Sequence, residues 1–207
     1  MEGARDREIL GCWARRVDPA LSRLIESSTV ILGGRRPARA IADFEKRGGV
    51  DAGFSGLVVL DRDHHDDASG AADADLARAG LEVFVWSLRH IESYLLVPTA
   101  IRRMLGLSAD DRTVEHFLEE GARADRASVA DEASVHAKRI LGAGGLLSEA
   151  LGAELRAGDI ARAMRKDELH RDVEQLLDRI ATLSGRDDKE PEIVIRAPAP
   201  SDPSNTR

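Results

Sequence analysis

The sequence predicts an α/β fold: a parallel sheet of about three to four strands with flanking helices, followed by an α-helical extension. The first sign is a continuous apolar run at residues 57–60, which is typical of a strand buried on both faces of a parallel sheet. A second run at residues 81–86 follows a polar connection with room for one short helix. Strands that alternate with helices favour a doubly wound sheet, whose ligands bind at the carboxyl ends of the strands.

The amino-terminal part adds elements to this pattern. Apolar residues at helical spacing predict a helix over residues 4–17, which Pro19 interrupts. Residues 29–32 are β-branched or apolar and are followed by two glycines, so they predict a strand. A helical period over residues 38–44 then predicts the next helix.

The chain from Ser87 onward has a helical pattern. Helices are predicted near residues 88–96, 98–105, 110–123, 128–141, 147–156 and 158–183. The last residues, 185–207, contain several prolines and polar residues and one short apolar run at 193–195. We therefore expect a catalytic α/β domain at 1–105, an α-helical extension at 106–184 and a disordered tail at 185–207.

Composition limits the classes of function. A formal net charge of -7 argues against a protein that coats nucleic acid, because non-specific binding needs many cationic side chains. The aromatic content of 3% provides no platform on which unpaired bases could stack. A single cysteine, with no signal peptide or membrane-spanning stretch in the sequence, favours a cytoplasmic protein. Any contact with nucleic acid is expected to be local.

Two carboxylates follow the first buried strand. Asp61 and Asp63 are separated by one residue, so both can approach a hard cation at the strand end. Phosphatases with an aspartyl nucleophile and nucleotide-sugar transferases also use this pattern, and solvated loop aspartates are a further alternative. His65 stands where such phosphatases have Thr or Val, and the transferases need a longer preceding domain.

Two further groups of residues have alternative interpretations. Ser87 is placed to cap a helix that carries Arg89 and Glu92 one turn apart, near the same sheet edge as Asp61. Glu92 then either joins a metal site or forms a surface ion pair with Arg89. The two glycines before Arg35 and Arg36 either cradle a phosphate or form an ordinary strand-to-helix turn.

The order of the motifs resembles the TOPRIM domain of OLD-family (overcoming lysogenization defect) nucleases and related AAA-ATPase-associated endonucleases. The matching motifs are Glu2-Gly-x-x-Asp6, a strand with Gly33-Gly34, Leu-Asp61-Arg-Asp63, and Arg89-x-Ile-Glu92-x-Tyr-Leu-Leu-x-Pro98. The resemblance covers roughly residues 1–105, without the strand that precedes the Glu-Gly turn in that family. No Gly-x-x-x-x-Gly-Lys-Ser/Thr phosphate loop occurs, so these residues are not the associated ATPase.

The resemblance implies hydrolysis of DNA phosphodiesters with Mg²⁺ or Mn²⁺. It assigns Glu2 as a metal ligand or general acid/base and Lys138 as the lysine that stabilises transition-state charge. The implied metal ligands are Asp6, Asp61, Asp63 and Glu92, and the candidate phosphate-binding residues are Arg35, Arg36 and Arg89. The implied partners are DNA and an AAA/ABC-type ATPase domain or subunit. A homodimer formed through the helical part is a further expectation. A catalytically inactive remnant or interaction module, or a small-molecule phosphohydrolase, is the alternative.

Overall fold

A computed structural model describes residues 1–62, 69–126, 137–142 and 144–185, and the backbone alone at 69–71 and 124–126. In these ranges the chain is a mostly helical α/β structure with one small parallel sheet. The strands are β1 (Gly56–Leu60) and β2 (Leu81–Val85). The helices are α1 (Ala4–Val17), α2 (Pro19–Ser28), α3 (Pro37–Lys46), α4 (Ser69–Arg78), α5 (Pro98–Leu105), α6 (Thr113–Arg126), α7 (Ala137–Leu141), α8 (Leu146–Leu151), α9 (Ala157–Ala163) and α10 (Arg171–Leu183).

The two strands confirm the prediction of a parallel sheet. They pair in register from Gly56 opposite Leu81 to Leu60 opposite Val85, with α4 as the crossover. Alternate residues of β1 point to opposite faces, so Val58 packs with one apolar cluster and Val59 with another. β1 is therefore covered on both faces, as its continuous apolar run predicts.

The sheet is smaller than the three to four strands expected: within the described residues it has two. Residues 30–32 are extended, but their backbone partner is the single residue Met1 and not a neighbouring strand. The Met1 ammonium donates to the Val30 carbonyl (3.3 Å), and the Leu32 N–H donates to the Met1 carbonyl (2.9 Å). This is the parallel ladder pattern, but it extends over one residue only.

Two helical segments before the extension differ from the expectation. The first helix ends at Val17, as the interruption at Pro19 predicts, but Pro19 also begins α2, which was not predicted. Proline is suited to this place because the first position of a helix needs no backbone N–H. The Asp18 side chain caps α2 by accepting the N–H of Ala20 (2.7 Å). The expected helix at 88–96 is a 3₁₀ helix over Ile91–Leu95, preceded by extended His90.

The long helix expected at 158–183 is interrupted. It consists of α9, a 3₁₀ turn over Lys166–Glu168 and α10, because Met164, Arg165 and Leu169 have extended backbone conformations. The helix expected at 128–141 is described only from Ala137, since residues 127–136 lie outside the described ranges. The expected helix at 147–156 ends earlier, at Leu151, where Gly152 adopts a left-handed conformation.

One apolar core joins the amino-terminal part to the helical extension. Trp13 of α1 is fully buried, packs edge to face on Tyr94 at 6.5 Å, and donates its indole N–H toward the Met164 sulfur (3.1 Å). The core therefore includes residues from both sides of the domain boundary predicted near residue 105. The division into two domains stays a prediction. No helix in the described part of the chain is both long and apolar enough to cross a bilayer.

Asp172 attaches α10 to the loop after β2. One of its carboxylate oxygens accepts hydrogen bonds from the Ser87 N–H (3.1 Å), the Ser87 hydroxyl and the Tyr94 hydroxyl. Ser87 therefore binds α10 and does not cap a following helix as expected. Burial opposes ionisation of Asp172, but these hydrogen bonds outweigh it and lower its pKa. Burial, followed by the bond to Asp172, raises the pKa of Tyr94 to about 12.

We expect Glu168→Gln to lower the free energy of unfolding by about 1–3 kcal/mol at neutral pH, because it removes charge-assisted hydrogen bonds. The Glu168 carboxylate binds both terminal nitrogens of Arg103 (2.8 and 3.0 Å) and the Arg165 N–H (2.8 Å). The Arg103 bonds come first among the causes that lower the pKa of Glu168 from 4.5 to about 2. The wild-type advantage is then present above pH 4.5 and lost as the pH falls toward 2.

Urea denaturation of both chains from pH 7 to pH 2 measures this difference. The matched control is Glu154→Gln, which removes a solvent-exposed pair with Arg156 and should leave stability unchanged. Equal losses in the two variants at pH 7 would contradict the stabilising role of Glu168.

Candidate metal centre

The carboxyl end of β1 brings three segments of the chain together. Asp61 follows the strand directly, and its N–H donates to the Glu2 carboxylate (3.2 Å). The Asp61 carboxylate accepts the N–H of Ile91, the first residue of the 3₁₀ helix after β2 (3.3 Å). Glu2 and Asp61 therefore lie at the sheet edge where ligands of parallel sheets bind.

Glu92 is a buried carboxylate beside two cationic side chains. It is 5% exposed and lies in the 3₁₀ helix after β2. One of its oxygens is 3.7 Å from Arg5 and 3.7 Å from Lys138. The second oxygen is 4.0 Å from the ring of buried His90, whose Nδ1 is 3.0 Å from the Ser93 hydroxyl. The nearby positive charges compensate for burial of the Glu92 charge.

Asp6 shows that the carboxylates lie close enough to influence one another. Its side chain accepts the Gly3 N–H (2.8 Å) in the first turn of α1. Burial is the main cause that raises the pKa of Asp6, and the negative charges of Glu92 and Glu2 add to it. A bound cation would remove this penalty, because it favours the ionised form of every carboxylate around it.

Most of the acidic residues singled out from the sequence meet in this region, which we call the acidic centre. Its members are Glu2, Asp6, Asp61 and Glu92, with Lys138 at its edge. Asp63 lies outside the described residues. The α7 helix brings Lys138 to Glu92 although the two residues are far apart in the sequence.

The three candidate phosphate-binding arginines have different surroundings. The Arg89 carbonyl accepts the N–H of Arg62 (3.0 Å), so this backbone adjoins the acidic centre. Arg35 lies 3.7 Å from Asp73 of α4, and Arg36 is exposed at the start of α3.

The glycine turn before these arginines uses its amides within the protein. The N–H groups of Gly33 and Gly34 donate to the Glu2 carbonyl (2.9 and 3.2 Å). Both glycines have positive φ angles, of 74° and 102°, which other residues rarely adopt. The turn therefore holds Glu2 in place, which corresponds to the structural interpretation of the glycine pair.

The structure adds three residues that the sequence reasoning did not select. Arg5 lies beside Glu92, Arg62 donates to the Ser87 carbonyl (2.9 Å), and the His90 ring lies 4.0 Å from Glu92. Position provided a signal for Arg5, which lies between Glu2 and Asp6 in the first motif, and for Arg62, which lies beside Asp61. No sequence signal distinguishes the buried His90 from an ordinary loop histidine.

The donor set suits a hard divalent cation, which prefers carboxylate oxygens and keeps several waters. Within the described ranges, however, no group of three or more His, Cys, Asp or Glu side chains is arranged to hold a metal ion. Glu92 is directed toward Arg5 and Lys138. Ligation by Glu92 would therefore require its carboxylate to exchange these cationic partners for the metal.

Comparisons with protein-family models, curated proteins and solved structures found no match to this chain. The motif order and the geometry of the acidic centre therefore provide the basis for inferring its function.

We expect Asp6→Asn to raise the Tm of the metal-free protein at pH 8 by about 2–4 °C, the shift that about 1 kcal/mol produces in a chain of this size. The raised pKa of Asp6 means that its contribution to stability is lost as the pH rises through the folded-state pKa. Asparagine has no charge and keeps an oxygen for the Gly3 N–H. Below pH 3.8, the ordinary pKa of Asp6, the two proteins should therefore melt alike.

Thermal melts in EDTA across this pH range measure the effect. Asp18→Asn is the matched control, because asparagine caps a helix about as well as aspartate. A lower Tm for Asp6→Asn at pH 8 would contradict repulsion and burial as the dominant effects at Asp6.

Proposed function

We propose that this chain is a Mg²⁺- or Mn²⁺-dependent nuclease of the OLD/TOPRIM type that hydrolyses DNA phosphodiester bonds. The observation that carries the proposal is the convergence of carboxylates from three segments at the carboxyl end of β1. The motif order supports the same assignment. The DNA substrate and the ATPase partner in this proposal come from the resemblance, and a homodimer formed through the helical part is a further expectation.

The metal ligands in this proposal are Asp6, Asp61, Asp63 and Glu92. Phosphodiester hydrolysis needs a water activated at neutral pH and charge stabilisation on the attacking and leaving oxygens, and bound divalent cations supply both. The raised pKa of Asp6 supports this role, because a cation would stabilise carboxylates that now repel one another.

Glu2 is positioned to act as a general acid/base or as a further ligand. Its backbone carbonyl is held by the glycine turn, and one carboxylate oxygen accepts the Asp61 N–H. The second oxygen can face substrate or metal. Fixing a reactive carboxylate through its backbone and one oxygen reduces the reorganisation needed during the reaction.

Lys138 and Arg5 are positioned to bind phosphate oxygens. Both lie 3.7 Å from Glu92, and their side chains are 49% and 64% exposed. If Glu92 turned to a metal, the two cations would be available for the negatively charged substrate. Lys138 is then suited to stabilise transition-state charge, and Arg5 to position the phosphate.

Local positive charge agrees with the acidic composition of the chain. Arg5, Arg62, Arg89 and Lys138 lie at or beside the acidic centre, although the net charge is -7. This distribution favours contact with a few phosphates near the cleavage site. It does not favour binding along an extended stretch of DNA.

A second candidate is a non-catalytic interaction module with the same fold. Glu92 lies 3.7 Å from both Arg5 and Lys138, which would compete with a metal for its carboxylate, and this observation favours it. The two candidates differ in one property, which is metal-dependent cleavage.

We expect the purified chain to nick supercoiled plasmid with Mg²⁺ or Mn²⁺, and Asp61→Asn/Asp63→Asn to reduce the rate at least about 100-fold through loss of metal ligands. The matched control is Asp43→Asn on α3, which removes an exposed pair with Arg47 and should leave nicking unchanged. Bis(p-nitrophenyl) phosphate and p-nitrophenyl phosphate, tested in parallel, separate diester from monoester hydrolysis.

Three outcomes would oppose the nuclease assignment. If the folded wild-type chain does not nick DNA with either metal, the result supports the interaction module. Faster hydrolysis of the monoester than of the diester supports the small-molecule phosphohydrolase. Equal nicking by the double variant and the wild type indicates a contaminating nuclease.

We expect Lys138→Ala to reduce kcat for nicking by about 10–100-fold with a smaller change in KM, because its charge acts mainly in the transition state. Lys138→Arg should recover part of the loss. Lys166→Ala, at an exposed lysine in the 3₁₀ turn before α10, is the matched control and should have no effect. Steady-state rates measured over a range of DNA concentrations separate kcat from KM, and an unchanged kcat would remove Lys138 from the mechanism.

A further inference from the structure

A groove with both apolar and polar lining residues lies between β1 and the extended residues 30–32. Its volume is about 570 Å³. Leu24 and Ile25 of α2 line one side, and Ala40 and Phe44 of α3 line another. Phe54, which also lines the groove, is 52% exposed. The groove therefore lies beside the edge of β1, whose two faces are buried.

Backbone N–H and C=O groups at the edge of β1 also lie along this groove. Within the described ranges β1 pairs with β2 alone, so its other edge has no partner strand. The backbone of residues 30–32 pairs with that of Met1, and the Leu32 carbonyl also accepts a hydrogen bond from the Arg39 guanidinium (2.9 Å). Backbone N–H and C=O groups at a strand edge favour the addition of another strand.

These properties define the chemistry of the occupant. It should be an extended segment that offers backbone bonds at its edges and apolar side chains on both faces, as in other strands covered on both sides. A match to the five residues of β1 requires a length of about 17 Å, at about 3.3 Å per residue.

A segment of this chain beyond the described residues has that composition. Residues 192–196 read Glu-Ile-Val-Ile-Arg, and they contain the only run of three apolar residues in 186–207. In an extended conformation Ile193 and Ile195 would point to one face and Val194 to the other. Val and Ile also favour strands.

The segment begins close enough to reach the groove. Ile180, Leu183 and Ser184, at the end of α10, line the groove themselves. The connecting residues 186–192 can span at most about 25 Å when fully extended. The connection is therefore long enough to place Ile193 in the groove without moving α10.

We propose that residues 192–196 bind in this groove as an added strand of the sheet. The segment would bind at the edge of β1, between α2 and α3. This interaction does not depend on the nuclease activity proposed above. It would cover the apolar walls of the groove and satisfy backbone groups along the edge of β1. The carboxy-terminal residues would then be part of the core of the protein.

Hydrogen exchange measured by mass spectrometry tests this interaction. Three full-length chains and one truncated chain are compared. The full-length chains are the wild type, Ile193→Asp/Ile195→Asp and Ala197→Asp/Ala199→Asp, and the truncated chain is residues 1–185. The Ala pair is the matched control, because it introduces the same charges at the same spacing in the same tail. Circular dichroism first establishes that each chain is folded.

In the wild type, peptides that cover 192–196 should exchange at least about 10-fold more slowly than an unstructured peptide of that sequence. Peptides that cover residues 29–32 and 55–60 should exchange faster in the Ile variant and in residues 1–185 than in the wild type. The Ala variant should match the wild type. Binding of the dye ANS should rise only in the first two, because they expose the groove.

Exchange of residues 192–196 at the unstructured rate in the folded wild type would overturn the proposal. Protection that disappears on dilution, together with a dimer in light scattering, would also overturn it and would assign the groove to a second copy. Unchanged exchange at residues 29–32 and 55–60 in residues 1–185 would show that the tail binds elsewhere.

Discussion

Burial of β1 on both faces is the constraint on which the rest of the structure depends. Residues on one side pack with α1, α2 and the carboxy-terminal helices, and residues on the other pack with α3 and α4. Leu60 is the last fully buried residue of the strand, and Asp61 is the first that meets solvent. The chain can place a carboxylate at this position only because the core ends there, and Glu2 and Ile91 reach the same position from other segments.

The acidic centre contains interactions that oppose stability as well as interactions that support it. Asp6 is partly buried near two other negative charges, which raises its pKa. Glu92 is more deeply buried, and it is compensated by Arg5 and Lys138 instead of by neutral hydrogen-bond donors alone. Interactions of this kind are common at functional sites, where ligand binding removes an electrostatic cost that the empty site retains. They are less expected in a region that serves only to support the fold.

The sequence was sufficient to predict those elements whose signals are local. The helix at α1, both strands and α5 follow from periodicity and from the residues at their ends. Pro19 indicated the end of α1 correctly, but α2 was not predicted, because a proline that follows one helix can also begin the next. The number of strands could not be derived, because residues 29–32 have strand-like side chains but depend on a neighbouring backbone to complete a ladder.

The candidate site shows the same difference between local and distant information. Spacing placed Asp61 and Glu92 near one sheet edge, but only the packing of α7 brings Lys138 to Glu92. Arg5 and His90 required the structure for the same reason, since their roles depend on what surrounds a buried carboxylate. Asp63 remains a prediction from the sequence, because it lies outside the described residues.

The hydrogen bonds of Asp172 have a mechanical consequence. They join the first turn of α10 to Ser87 and Tyr94, which lie on either side of Glu92 along the chain only two to five residues away. α10 is also bonded to the sheet, because Arg179 pairs with Glu82 of β2. A displacement of α10 would therefore reach the segment that carries Glu92 through Asp172 and the sheet through Arg179.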